Sequence, residues 1–122
     1  MCLRSLLVVG RTPNARLRRA LARHGFASVA AHDMPAGLRE VREGNVSAVL
    51  VAGERPGVDA LEFVLNVRDI DGKVPILIAV GTVDADVDEA LMTVGGALPL
   101  REYEGPESLA AEVELVLGAE NA

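Results

Sequence analysis

The stretch that decides the fold is AVLVAGERPGVDALEF, residues 48–63. It opens on a short apolar run, turns at Gly53 and the Pro56-Gly57 pair, and then takes up helical spacing. A continuous apolar run of strand length indicates a strand covered on both faces, as in a parallel sheet. A turn followed at once by a helix is half of a β–α–β unit. In open α/β sheets, ligands and reactive groups gather at the carboxyl ends of the strands. Here those end residues are Ala52 and Gly53, which offer no acid, base, nucleophile or metal ligand.

The same alternation extends in both directions. Short apolar runs predict strands over 3–9, 26–31, 46–52, 74–80 and 97–100, the last a poor one suited to a sheet edge because Pro99 lacks a ladder donor. Helical patterns predict helices over 12–25, 34–44, 58–70, 84–95 and 106–118. Pro13, Pro35 and Pro106 suit first helical positions, Thr12 and Asp33 can cap, and Gly25 and Gly118 suit stops. Gly37 weakens the second helix. The first helix turns Leu17 and Leu21 inward with Ala20 and His24 beside them; the third turns Leu61, Val64, Leu65 and the stem of Arg68. Five β–α units with short connections imply a three-layer (βα)5 α/β sandwich with a five-stranded parallel sheet and right-handed crossovers, one domain over residues 1–122.

Composition narrows the function classes. Half of the 122 residues are hydrophobic but only 2% are aromatic, so the core is built from Val, Leu, Ile and Ala. No apolar run approaches the roughly 20 residues that span a bilayer, and the N-terminal apolar stretch is too short for a signal peptide. Cys2 is a lone cysteine, which fits a reducing cytoplasm. Residues 1–42 hold eight arginines against Asp33 and Glu40, a net +6; residues 43–122 hold four basic groups against sixteen acidic ones, a net −12. An acidic chain with no aromatic residue among its arginines is a poor candidate for nucleic-acid binding.

The strand-end loops carry Gly10, Arg11 and Thr12; Glu54 and Arg55; Thr82 and Asp84; and Arg101, Glu102, Tyr103 and Glu104. A catalytic pair needs two groups in hydrogen-bond reach, one tuned by the other, and this spacing dictates none. VVGRTPN has one glycine where a dinucleotide fingerprint needs three, and no P-loop Gly-Lys-Ser/Thr. His24 and His32 have no cysteine near them to complete a zinc set. Asp84, Asp86, Asp88 and Glu89 lack the EF-hand glycine and terminal glutamate, and read as carboxylates offsetting a helix dipole. No metal or cofactor is expected. Arg16, Arg19 and Arg23 share one helix face, either an ordinary solvated face or a docking patch for an acidic partner or an acidic second copy.

In their order along the whole chain, these stretches resemble a bacterial response-regulator receiver domain. LLVVGRTPNARLRRALARHGF (6–26) resembles the family's opening strand, loop and helix; VSAVLVAGERPGVDALEFVLNVRD (46–69) its third strand and helix; KVPILIAVGT (73–82) its fourth strand; and VGGALPLRE (94–102), more weakly, its fifth. The resemblance implies a flavodoxin-like, CheY-like fold with strand order 2-1-3-4-5. It also implies where the phosphorelay residues should stand, and each is replaced. The phosphoacceptor aspartate falls at Ala52, the Mg²⁺-holding acidic pair at Gly10 and Arg11, and the switch hydroxyl at Val80, with Thr82 nearby. The lysine falls at Arg101 or Glu102, and the aromatic switch in the Leu98–Leu100 region. Without a carboxylate at 52 no acyl phosphate forms there, and without the acidic pair Mg²⁺ lacks oxygen ligands.

The resemblance therefore implies a pseudo-receiver, a phosphorylation-independent signalling module with no catalytic residue. It would engage a protein partner or a second copy through Arg16, Arg19 and Arg23 or through an acidic surface with Asp84, Asp88 and Glu104. The alternative is a small-ligand or nucleotide-binding domain using Arg11, Glu54 and Arg101 in the strand-end crevice.

Overall fold

A computed structural model of the chain describes residues 4–9, 15–31, 33–44, 46–52, 57–79, 89, 92–93, 96–100 and 105–120. In chain order they form β1 (Arg4–Val9), α1 (Ala15–Arg23), β2 (Phe26–Ala31), α2 (Met34–Glu43) and β3 (Ala48–Ala52). Then come α3 (Gly57–Ile70), β4 (Ile76–Ala79), the three-residue β5 (Leu98–Leu100) and a last helix, α4 (Pro106–Glu120). Every strand pairing is parallel, and the hydrogen-bonded order is β2-β1-β3-β4-β5. Most of the helix expected over 84–95 lies outside the described residues; Glu89, Met92 and Thr93 within it are helical.

The apolar runs are continuous because successive side chains enter different cores. Leu6, Ala48, Leu50, Leu77 and Ala79 face one side, where they pack with Leu17, Ala20 and Leu21 of α1 and Leu109, Ala110, Val113 and Leu117 of α4. Leu7, Val9, Val49, Ile76 and Ile78 face the other, where Val41 of α2 and Phe63, Val64 and Val67 of α3 cover them. This is the period-2 alternation of a strand with both faces buried. The α/β layering expected from the sequence is therefore what the residues form.

Several local expectations need correction. Among the described side chains of α3, Phe63, Val64 and Val67 are buried, while Leu65 is exposed and Leu61 lies outside them. The helix is apolar on several sides, so its sequence carried little phase information. β4 begins at Ile76, not at residue 74. The Asp71 carboxylate accepts from the N–H groups of Lys73 and Val74, at 2.8 and 3.2 Å, which holds the approach in a turn. Pro75 then has no N–H for a ladder, although its carbonyl accepts from Val49. The last helix continues through Gly118 to Glu120.

α2 shows how sequence sets both ends of an element. Asp33 is extended (φ −148°) and its carboxylate accepts from Ala36 N–H at 2.9 Å, a side-chain N-cap. Gly44 ends the helix in the left-handed region (φ +73°), where glycine carries no Cβ penalty. Gly37, a weak helix former, has a different purpose. A Cβ there would lie 3.0 Å from Val9 Cγ2 and 3.1 Å from Phe63 Cε1. Its absence lets the α2 backbone settle on β1 and α3.

Candidate functional site

The carboxyl ends of the strands are aligned by register. Val9 of β1 stands opposite Val51, Ala52 opposite Ala79, and Ala79 opposite Leu100. Ala52 is the last residue of β3, the strand with β1 on one side and β4 on the other. The central strand of the sheet thus ends on an alanine, a residue type with no side-chain oxygen. Of the other positions singled out here, Gly10 and Arg11 follow β1 in sequence, Val80 follows β4, and Arg101 and Glu102 follow β5. All five lie outside the described residues, as do Glu54, Thr82, Asp84, Asp88 and Glu104. Among the described residues, no three His, Cys, Asp or Glu side chains group as metal ligands, and no helix is long and apolar enough to cross a membrane.

Among the described residues, the arginine face of α1 forms a defined polar cluster. Leu17, Ala20 and Leu21 anchor the helix to the core, which turns Arg16, Arg19 and Arg23 outward. The three arginines line an open groove of about 360 Å³ with Pro106 and Glu107, the first two residues of α4. They are not equivalent. Arg23 is ion-paired with Glu107 across the groove. The neighbouring His24 donates from Nδ1 to Glu114, and its Nε2 lies 3.9 Å from Glu107. Arg18, on another side, donates to the hydroxyl and the carbonyl of Ser28 in β2, at 3.2 and 3.3 Å. Arg16 and Arg19 pair with no carboxylate among the described residues. The face therefore divides into a clasp at its C-terminal end, Arg23 and His24 against Glu107 and Glu114, and two arginines beyond it. Nothing local in the sequence announces that clasp, because Glu107 and Glu114 are far away in the chain.

Arg68, whose stem the sequence turns inward, is half-buried, and its guanidinium ties segments together. Nη1 donates to Val74 O at 2.7 Å and to Asp71 O at 3.3 Å, and Nη2 donates to Gly96 O at 3.4 Å. The fork geometry of arginine suits several carbonyls at once. This links the end of α3 to the approaches of β4 and β5. The only sequence hint was an arginine in the last turn of a helix, where it can reach carbonyls beyond the end.

On the segment expected to form an acidic docking surface, Glu89 is exposed, Met92 is 54% exposed and Leu98 of β5 is 38% exposed.

No family model matches the chain, and no curated protein matches it. Solved structures do. A CheY-like response-regulator receiver protein from Methanospirillum hungatei superposes with a TM-score of 0.81 at 14% identity, covering 98% of this chain and 97% of that one. A response-regulator receiver domain from Clostridium thermocellum gives 0.80 at 18% identity, with 98% of each chain covered. The Thermotoga maritima response regulator TrrA, solved in complex with Mg²⁺–BeF, gives 0.73 at 21% identity, covering 93% of this chain and 99% of that one. The chain has the fold of the CheY-like receiver domains.

Proposed function

We propose that this protein is a signalling module of receiver fold that works without phosphorylation, by binding other proteins in the bacterial cytoplasm. The flavodoxin-like sheet order, β2-β1-β3-β4-β5, and the receiver-fold neighbours support the signalling class. The observation that carries the rest is Ala52 at the end of the central β3. A receiver accepts its phosphoryl group on a carboxylate, and an alanine methyl group offers no oxygen for the acyl phosphate bond. Gly10 and Arg11, after β1, bring no carboxylate for Mg²⁺, and Arg11 brings a positive charge instead. With no carboxylate at positions 10, 11 and 52, the reading makes the protein a binding module, not an enzyme, and its surfaces carry the function. The α1 groove is one such surface, and the acidic stretch containing Asp84, Asp88 and Glu104 is a second.

The test is chemical. The protein is incubated with Mg²⁺ and acetyl phosphate and its intact mass measured. The expected spectrum shows the unmodified chain. A stable adduct of about 80 Da, one phosphoryl group, would overturn the reading.

A further inference from the structure

Helices on opposite faces of the sheet carry complementary stripes. On α1, Arg16, Arg19 and Arg23 stand at i, i+3 and i+7, and all three are exposed. On α3, Glu62, Leu65 and Asp69 stand at the same spacing and are exposed too, Leu65 by 39%. Seven residues of helix span about 10.5 Å, so Arg16 and Arg23 are as far apart along α1 as Glu62 and Asp69 are along α3. Arg16 and Arg19 pair with no carboxylate among the described residues, and Glu62 and Asp69 pair with no basic group among them. Arg23 shows what the arginine face receives, a carboxylate, that of Glu107. The middle residue of each stripe also fits the other. The methylene stem of Arg19 can cover Leu65 while its guanidinium stays in water.

We infer that the arginine face of α1 in one molecule docks the Glu62–Leu65–Asp69 face of α3 in a second copy of this chain. The argument is charge complementarity at matched spacing. In the contact, Arg16 and Arg23 meet the two carboxylates and Arg19 lies over Leu65. Arg23 keeps Glu107 while it takes a second carboxylate, because a guanidinium carries several donors. A net charge of −6 opposes association at long range. At physiological ionic strength, however, screening confines each charge to about 8 Å, so the facing stripes dominate at contact. α1 packs with α4 on one face of the sheet, and α3 packs with α2 on the other. Each molecule therefore carries one half of the contact on each side. Such a contact is heterologous and propagates as an open stack rather than an isologous dimer. This inference names the partner and rests on the protein-binding reading above.

Sedimentation equilibrium into the millimolar range tests it. The weight-average mass is expected to rise above the 12.8 kDa of one chain at about 0.15 M salt and to fall back toward it at about 0.5 M. Arg16→Glu/Arg19→Glu, with circular dichroism as a check on folding, is expected to weaken association at least about tenfold, because each reversal turns attraction into repulsion. Glu62→Arg/Asp69→Arg is expected to do the same. An equimolar mixture of the two variants is expected to associate again, since the reversed α1 of one then faces the reversed α3 of the other. A monomer at every concentration overturns the inference, as does association that either variant leaves unchanged. Neither result touches the phosphorylation-independent reading, which the acetyl phosphate experiment decides by itself.

Discussion

Replacing Gly37 by alanine sets two physical effects against each other at one position. Helix propensity favours alanine over glycine by about 1 kcal/mol in a helix interior. If α2 were an exposed helix, Gly37→Ala would stabilise the protein by up to that amount. The structure gives the opposite sign. The new methyl group would stand 3.0 Å from Val9 Cγ2 and 3.1 and 3.3 Å from two carbons of the Phe63 ring. Those neighbours cannot swing into solvent, since Val9 is 4% and Phe63 1% exposed. Inserting a methyl group into a packed core costs about 1–3 kcal/mol. Subtracting the propensity gain leaves a net loss of about 0–2 kcal/mol. Urea denaturation followed by circular dichroism measures it. With a slope of about 1–3 kcal/mol per molar urea, a loss of 1 kcal/mol lowers the midpoint by roughly 0.3–1 M. Phe63→Leu should relieve the clash, so the double variant should lose less than the sum of the two single losses. A higher midpoint for Gly37→Ala would refute the close-packing account of α2.

Other substitutions test other contacts. Arg68→Ala removes the donors to Val74, Asp71 and Gly96 and should cost about 1.5–3 kcal/mol by the same denaturation assay, the range for hydrogen bonds from a charged group. Asp33→Ala loses the cap on α2 and should cost about 1 kcal/mol, whereas Asp33→Asn should retain most of the stability. Phe63→Ala empties the centre of the α2–α3 core and should cost about 3–5 kcal/mol. Ala52→Asp restores a carboxylate at the end of β3, but Gly10 and Arg11 still supply none for Mg²⁺. Intact mass after acetyl phosphate treatment should therefore show no phosphorylated species for this variant either.

The parts of the fold that local chemistry dictates were legible in the sequence. β3 and β4 were visible as apolar runs because both of their faces are buried. α2 was visible from Asp33 and Pro35, each of which acts within a few residues of itself, while its stop at Gly44 was not singled out. What was not legible depends on contacts distant in the chain. Gly37 reads as a weak point until Val9 and Phe63 are known to lie beneath it. Leu65 and Phe63 are equally apolar, and only packing against β1 and β3 decides which is inside. The partners of Arg23 and His24 lie in α4, 84 and 90 residues further on for Glu107 and Glu114 respectively. The candidate site is a special case. On the proposed reading its decisive feature is a missing carboxylate, and the structure contributes only that β3 ends at Ala52.

The central claim is that the strand-end edge has lost its affinity for a phosphoryl group and its metal. The Thermotoga regulator TrrA was solved with Mg²⁺–BeF, and that ligand allows a test without covalent chemistry. Thermal unfolding is measured with and without Mg²⁺ and beryllium fluoride. A ligand present at a hundred times its dissociation constant stabilises a folded protein by about 2.7 kcal/mol, which for a chain of this size raises the melting temperature by roughly 10 °C. The account predicts the same melting temperature in both conditions. A rise that requires Mg²⁺ and fluoride together would contradict it.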